Sequence, residues 1–307
     1  MKKILYLAIV LVCMLSTVSC ASYTEIRFDE ERDVNTKAHE EDEKVITSKV
    51  DNDGTNGVNK EEEKTEEVTT DPAEEYVELL EFTMLDNGTY EVSVGRATEI
   101  KNIVIPKEYK NTPVTAVKFR GFEKCLALES IYIPEGVVSI GNSAFYGCNN
   151  LKEISIPSSI EFLGGSLPTH CLNYTVYDNV NYLGNEDNPY LCLIYPNDRT
   201  RSTYNIHPDT KIIADYAFVG MNVRNIELPS KVVSIGGGAF SQNESLETIK
   251  IPLSVKSIKN SAFIKCYGLK RIEYAGTKSQ WAEIDLESGW NLAAAQYVIY
   301  CTDGEIR

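Results

Sequence analysis

The sequence IELPSKVVSIGGGAFSQNESLETIKIPLSVKSIKNSAFIKCYGLKRIEY, residues 226–274, decides the fold. An Ile-x-Leu-Pro segment begins at Ile226 and an Ile-x-Ile-Pro segment follows 23 residues later at Ile249, each leading into a Val-x-Ser-Ile and an Ala-Phe segment. Further copies begin at Ile131 and Ile154, and partial copies lie near Ile103 and Tyr204. A repeat at a fixed period of this length is typical of proteins whose units stack side by side.

Each unit predicts one short strand. Apolar residues alternate along Ile-x-Ile, which is the pattern of a half-buried strand, and the proline that follows ends the strand because it lacks a backbone N–H. The Ala-Phe pair predicts a second, shorter turn of helical character, whose Phe fills the space between the two sides of the coil. One such unit cannot bury its own apolar face, so the units stack. The predicted fold is a β-rich α/β solenoid with parallel strands and short helical turns.

The motifs Ile131-Tyr-Ile-Pro134, Val137-Val-Ser-Ile-Gly141 and Ser143-Ala-Phe-x-x-Cys148 resemble the BspA-type leucine-rich repeat family of bacterial surface proteins. The resemblance covers roughly residues 80–307. It implies a right-handed arc or horseshoe, repeats without enzymatic activity, and a role in adhesion or protein binding at the cell surface.

The solenoid is expected to span residues 81–307 and to need a cap at each end. Residues 82–94 predict a hairpin around Asn87-Gly88, and Thr277-x-x-Gln280 is a capping-box pattern that opens a short helix. Residues 173–204 break the period and contain six tyrosines. Either this insertion is a small hairpin packed on neighbouring coils, or it is a binding surface that uses Tyr182 and Tyr190.

The N-terminal part of the chain predicts export. Residues 1–19 have a basic start, an apolar stretch and small residues, as in a secretory signal peptide, and Cys20 resembles the lipidated cysteine of a bacterial lipoprotein. The alternative is an ordinary signal peptide in which Cys20 is incidental. Residues 21–80 hold 20 acidic and 7 basic residues, a net charge of −13, so we expect residues 20–80 to form an acidic, disordered tether.

Composition excludes several functions. A net charge of −15 argues against nucleic-acid binding, and three histidines with no catalytic or metal-ligand spacing predict no enzyme, cofactor or metal site.

Cys125, Cys148, Cys171 and Cys266 occupy one column of the repeat, which predicts a structural ladder. A Cys125–Cys148 disulfide is a minor hypothesis, because neighbouring coils bring these residues close together in an oxidising compartment.

The outward side of the strands is the expected binding face. In Ile131-Tyr132-Ile133 the isoleucines point inward and Tyr132 points outward. The outward column is Val104, Tyr132, Ser155, Asn205, Glu227, Lys250 and Glu273. This polar face with one aromatic residue is compatible with a protein partner, a glycan partner or none. Taken together, the signal sequence, the acidic segment and the repeats predict a lipid-anchored surface protein that binds an extracellular protein or matrix component. The alternatives are a glycan- or nutrient-binding lipoprotein that uses the Tyr-rich insertion, and a hydrolase.

Overall fold

The computed structural model describes residues 77–168, 172–294 and 296–307. The predicted signal peptide, Cys20, nearly all of the predicted tether, and Cys171 lie outside the described residues. The described chain winds into a β-solenoid of about nine turns with parallel strands and very little helix. None of its helices is long and apolar enough to cross a bilayer.

The secondary-structure elements are short. In chain order they are β1 (Glu81–Met84), β2 (Tyr90–Ser93), β3 (Asn102–Val104), β4 (Glu108–Tyr109), β5 (Thr112–Val117), β6 (Ser130–Tyr132), β7 (Ser139–Ile140), β8 (Glu153–Ser155), β9 (Phe162–Leu163), β10 (Thr175–Tyr177), β11 (Val180–Leu183), β12 (Cys192–Pro196), β13 (Ile212–Ile213), β14 (Asn225–Glu227), β15 (Ser234–Ile235), β16 (Thr248–Ile251), β17 (Ser257–Ile258), β18 (Arg271–Tyr274), α1 (Lys278–Trp281), β19 (Asp285–Leu286), β20 (Val298–Cys301) and β21 (Gly304–Ile306).

The Ile-x-Ile strands form the first row of the solenoid. They pair in parallel as β3-β6-β8 and, after the insertion, as β14-β16-β18-β20. Ile131 lies opposite Ile154, and Ile249 lies opposite Ile272, so neighbouring coils are offset by one 23-residue repeat. Their side chains are buried because alternate residues of a strand face the core. The predicted period and parallel stacking are confirmed.

A second row of strands was not predicted. The Val-x-Ser-Ile segments form the two-residue strands β7, β15 and β17. They belong to two parallel rows, β5-β7-β9 on one side of the insertion and β12-β13-β15-β17-β19 on the other, in which β5 and β12 are longer. Ile140, for example, lies between Val117 and Leu163 and is fully buried. Most of the described coils therefore have two strands rather than one.

The Ala-Phe segments form hydrogen-bonded turns, and the expectation of short helical turns is corrected in this respect. Ala144 N donates to Gly141 O (3.1 Å) and Tyr146 N donates to Ser143 O (3.1 Å). Helix does not propagate because Ser143 and Gly147 have φ of +56° and +75°, in the left-handed region. The positive φ recurs at the equivalent position of other coils, at Arg120, Ser143, Ser166, Tyr216, Gly238 and Ser261.

The phenylalanines of these turns form the centre of the core. Phe218, Phe240 and Phe263 are fully buried, and their rings stack at centroid distances of 5.3 and 5.4 Å. Phe122 and Phe145 form a similar stacked pair at 5.6 Å before the insertion. The prediction that each Phe fills the interior of its coil is confirmed.

Asp215 connects coils on the two sides of the insertion. Its Oδ2 accepts a hydrogen bond from Gly165 N (3.0 Å), and its Oδ1 accepts one from Gly237 N (2.6 Å). Burial raises the pKa of this carboxyl to about 6, although the two backbone N–H groups act to lower it. The Asp215 carboxylate therefore joins a coil before the insertion to a coil after it. It does so between the two stacks of phenylalanine rings.

Both ends of the described chain contain the predicted local motifs. β1 and β2 pair antiparallel around Asn87-Gly88, and β2 continues in parallel onto β5. Thr277 caps α1 in a capping box with Gln280. Leu80, which was assigned to the tether, is 7% exposed and belongs to the core, so the folded part begins before residue 81.

Candidate interaction face

The outward side chains of the first-row strands form a surface that we call the strand face. Tyr132 exposes 48% of its surface, whereas Ile131 and Ile133 on either side of it are buried. Val104, Tyr132 and Ser155 lie opposite one another in β3, β6 and β8. The predicted alternation is therefore correct in this half of the strand face.

The other half of the strand face lies beyond the insertion. Glu227, Lys250 and Glu273 are opposite one another in β14, β16 and β18, and Tyr300 follows them in β20. Asn205, which was expected to continue the column, is not in a strand, because its N–H donates instead to Asp178 Oδ2 (2.8 Å). The predicted single column is thus two columns separated by the insertion.

Charges in the C-terminal half of the strand face are paired with one another. Lys250 Nζ lies 2.9 Å from Glu227 Oε2, and this hydrogen bond raises the pKa of the lysine. Arg271 Nε lies 2.6 Å from Glu273 Oε1, and the Arg271 guanidinium lies 3.8 Å from the centroid of the Tyr300 ring. This half presents few charged groups that still lack a partner of opposite charge.

The N-terminal half of the strand face ends at a groove of about 530 Å³. Tyr132 and the outer strand β8 form one wall, and the loop Gly184–Asp187 forms the other. The groove is lined by Tyr132, Ile133, Glu135, Glu153, Ile154, Ser155, Pro157, Asn173, Gly184, Asn185, Glu186 and Asp187. Four of these residues are acidic and none is a lysine or arginine, so the groove has a negative potential.

Sequence reasoning missed the groove. Glu135, Glu186 and Asp187 were not among the predicted site residues, because the fold brings them to β8 from a turn and from the insertion. Glu135 is held in place by backbone N–H groups, since Ser158 N donates to its Oε1 (2.6 Å) and Ser159 N to its Oε2 (3.0 Å). The only sequence signal was the interruption of the 23-residue period.

The insertion is a packed hairpin rather than a tyrosine-lined surface. β10 and β11 pair antiparallel, β11 pairs with β12, and β12 continues in parallel onto the second row. Tyr182 is fully buried, and its hydroxyl accepts a hydrogen bond from His207 N (3.1 Å). The Tyr190 ring stacks on His207 at 3.7 Å. Tyr182 is therefore unavailable to a ligand, which corrects its assignment as a binding residue.

The cysteine column has a structural role in the described coils. Cys148 Sγ donates to Phe122 O (2.9 Å), and Cys266 Sγ donates to Phe240 O (3.1 Å). In another coil Asn243 Nδ2 makes the equivalent bond to Phe218 O. The hypothesised disulfide is not formed, since Cys125 and Cys148 are both thiols.

The repeat pattern identifies the family. The model of the BspA type leucine rich repeat region matches six copies, over residues 95–186 and 197–285, which is more than half of the chain. This chain belongs to the BspA-type leucine-rich repeat family. No curated protein matches it in sequence.

Solved bacterial leucine-rich repeat proteins are similar to this family member. The Treponema pallidum protein TpLRR is 19% identical with a TM-score of 0.36, over 64% of this chain and 83% of TpLRR. A Bacteroides ovatus leucine-rich repeat protein is 26% identical with a TM-score of 0.34, over 63% of this chain and 45% of that protein. A leucine rich cell surface protein from Faecalibacterium prausnitzii is 18% identical with a TM-score of 0.28, over 69% of this chain and 97% of that protein.

Proposed function

We propose that this BspA-type protein is displayed on a bacterial cell surface, where its strand face binds an extracellular protein or matrix component. The observation that carries the proposal is Tyr132, which is 48% exposed on a strand held between two hydrogen-bonded neighbours. A tyrosine on a rigid support contributes a large contact area at a small entropic cost, and such residues are enriched at interfaces. Repeat proteins commonly bind partners through surfaces of this kind.

The binding proposal is tested with immobilised extracellular matrix proteins and the full chain. Tyr132→Ala is expected to weaken binding by about tenfold or more, as for an aromatic residue at the centre of an interface. The matched control is Tyr267→Ala, which removes a tyrosine of similar exposure (54%) that lies outside the strand face. Equal affinities of the two variants would disprove a role for this face.

The insertion remains the alternative site, for a glycan or nutrient. Tyr177 is its most exposed tyrosine, at 38%, whereas Tyr182 is buried and Tyr190 is partly covered by His207. Because Tyr132 is more exposed, at 48%, the strand face is the better candidate. Loss of binding on Tyr177→Ala, with Tyr132→Ala unaffected, would move the site to the insertion.

Surface display would depend on the N-terminal segment. We propose that Cys20 carries a lipid and that the acidic segment before Leu80, residues 21–79 with a net charge of −13, holds the solenoid away from the membrane. In this arrangement the β1-β2 hairpin and the segment around α1 would cap a right-handed solenoid. Cys20→Ala should move the protein from the detergent phase to the aqueous phase. If the variant stays with detergent, the lipid anchor is disproved.

A further inference from the structure

The strand β8 has a neighbouring strand on one side only. It pairs with β6, and the three-stranded sheet ends there. On its other side, Asn173 N donates to Lys152 O (2.9 Å) before β8, and Ile156 N donates to Gly184 O (3.0 Å) after it. Between Asn173 and Gly184 the chain leaves the row as the β10-β11 hairpin. The hydrogen-bonded ladder of the first-row strands therefore ends at β8, whose outer edge has no neighbouring strand among the described residues.

Ile154 lies at the centre of this opening. Alternate residues of a parallel strand direct their backbone groups to the same neighbour, so Ile154 faces the same side as Lys152 and Ile156. Within residues 77–168, 172–294 and 296–307, no group bonds the Ile154 N–H or C=O on that side. In the equivalent coil, Ile249 is covered by Ile272 of β18. Ile154 lines the groove although it is only 8% exposed, and its two backbone groups would be satisfied by a further extended segment bound there.

The charges around the opening indicate what would bind there. Glu135, Glu153, Glu186 and Asp187 line the groove beside Ile154. None of these four carboxylates forms an ion pair with a described residue, in contrast to the paired charges around Lys250 and Arg271. Glu153, Glu186 and Asp187 are exposed to solvent. A cationic segment would therefore be attracted to this groove in preference to the rest of the strand face.

We propose that the groove binds an extended segment rich in lysine or arginine from another protein. The segment pairs its backbone with Ile154, and its basic side chains contact Glu153, Glu186 and Asp187, with one cation against the exposed ring of Tyr132. This inference rests on the proposed function and specifies the chemistry of the partner. Residues 21–80 of the chain itself carry a net charge of −13 and are repelled by the same carboxylates.

The test uses the full chain and a fluorescent peptide in which arginine alternates with valine. Anisotropy titration gives the affinity for three proteins: the unmodified chain, the variant Glu153→Gln/Glu186→Gln/Asp187→Asn, and a control of identical charge change at exposed acids outside the strand face, Glu244→Gln/Glu283→Gln/Asp86→Asn. We expect the groove variant to bind about tenfold more weakly and the control to change by less than about twofold, because distant exposed charges are screened.

Two further measurements decide whether the peptide pairs as a strand. Hydrogen exchange of the Ile154 amide is expected to slow in the complex, and a peptide with citrulline in place of arginine is expected to bind about tenfold more weakly. The inference is overturned by equal weakening of both triple variants, by equal binding of the citrulline peptide, or by unchanged exchange at Ile154.

This inference and the proposed function can fail separately. A matrix partner that requires Tyr132 but binds the groove variant with unchanged affinity refutes this inference alone. A chain that binds the peptide but no extracellular protein refutes the proposed function alone.

Discussion

Replacing Phe240 by alanine removes the central ring of the core column. The ring is fully buried between Phe218 and Phe263, at centroid distances of 5.3 and 5.4 Å. The coil is also fixed by its backbone, because Phe240 N donates to Ala262 O (2.8 Å), so the neighbours cannot collapse into the space. A cavity of this kind costs roughly 3–5 kcal/mol, and the two lost stacked pairs place Phe240→Ala in the upper part of that range.

The loss is measured by urea unfolding of the full chain. Far-UV circular dichroism reports the whole solenoid, and tryptophan fluorescence reports its C-terminal part, where Trp290 packs edge-on against Phe263 at 5.9 Å. Tyr267→Ala is the control, since that side chain is 54% exposed and surface substitutions change the free energy of unfolding by less than about 0.5 kcal/mol. A loss below about 1 kcal/mol for Phe240→Ala would refute the argument that the stacked rings stabilise neighbouring coils.

Two further predictions concern titratable groups in the core. The pKa of Asp215 rises from 3.8 to about 6 on folding, so this carboxyl contributes stability below pH 4 that is lost as the pH rises through 6. Relative to Asp215→Asn, the unmodified chain should lose up to about 3 kcal/mol of unfolding free energy between pH 4 and pH 7, measured by urea titration at each pH, and a constant difference would contradict this. Burial raises the pKa of the Cys266 thiol to about 12, whereas Cys301 is partly exposed. Iodoacetamide at pH 8 should therefore alkylate Cys301 at least about tenfold faster than Cys266 by peptide mass mapping, and equal rates would show that the solenoid opens locally.

The first row of strands was predictable because its signal is local and repeated. Ile131 and Ile154 recur with the same neighbours, and the alternation in each unit fixes which side chains face the core. The second row was missed because strands such as Ser139–Ile140 contain two residues, too few for an alternating pattern. Their pairing arises only when coils stack.

The sites were less predictable than the fold because they depend on the insertion. Nothing in the local sequence distinguishes Tyr182, which is fully buried, from Tyr177, which is partly exposed. Their burial follows from how the hairpin packs. The groove likewise combines Glu135 with Glu186, which are separated by more than two repeats and meet only because the β10-β11 hairpin leaves the first row.

The recurring left-handed residue in each Ala-Phe turn has a consequence for how such chains change in length. Because each coil with such a turn contains its own bend, at Ser143 in one and at Ser261 in another, the course of its backbone is set within that coil. Duplication or deletion of one whole 23-residue segment would therefore preserve the angles of all remaining coils, and a gene encoding this protein can grow or shrink by such segments without redesign of the rest.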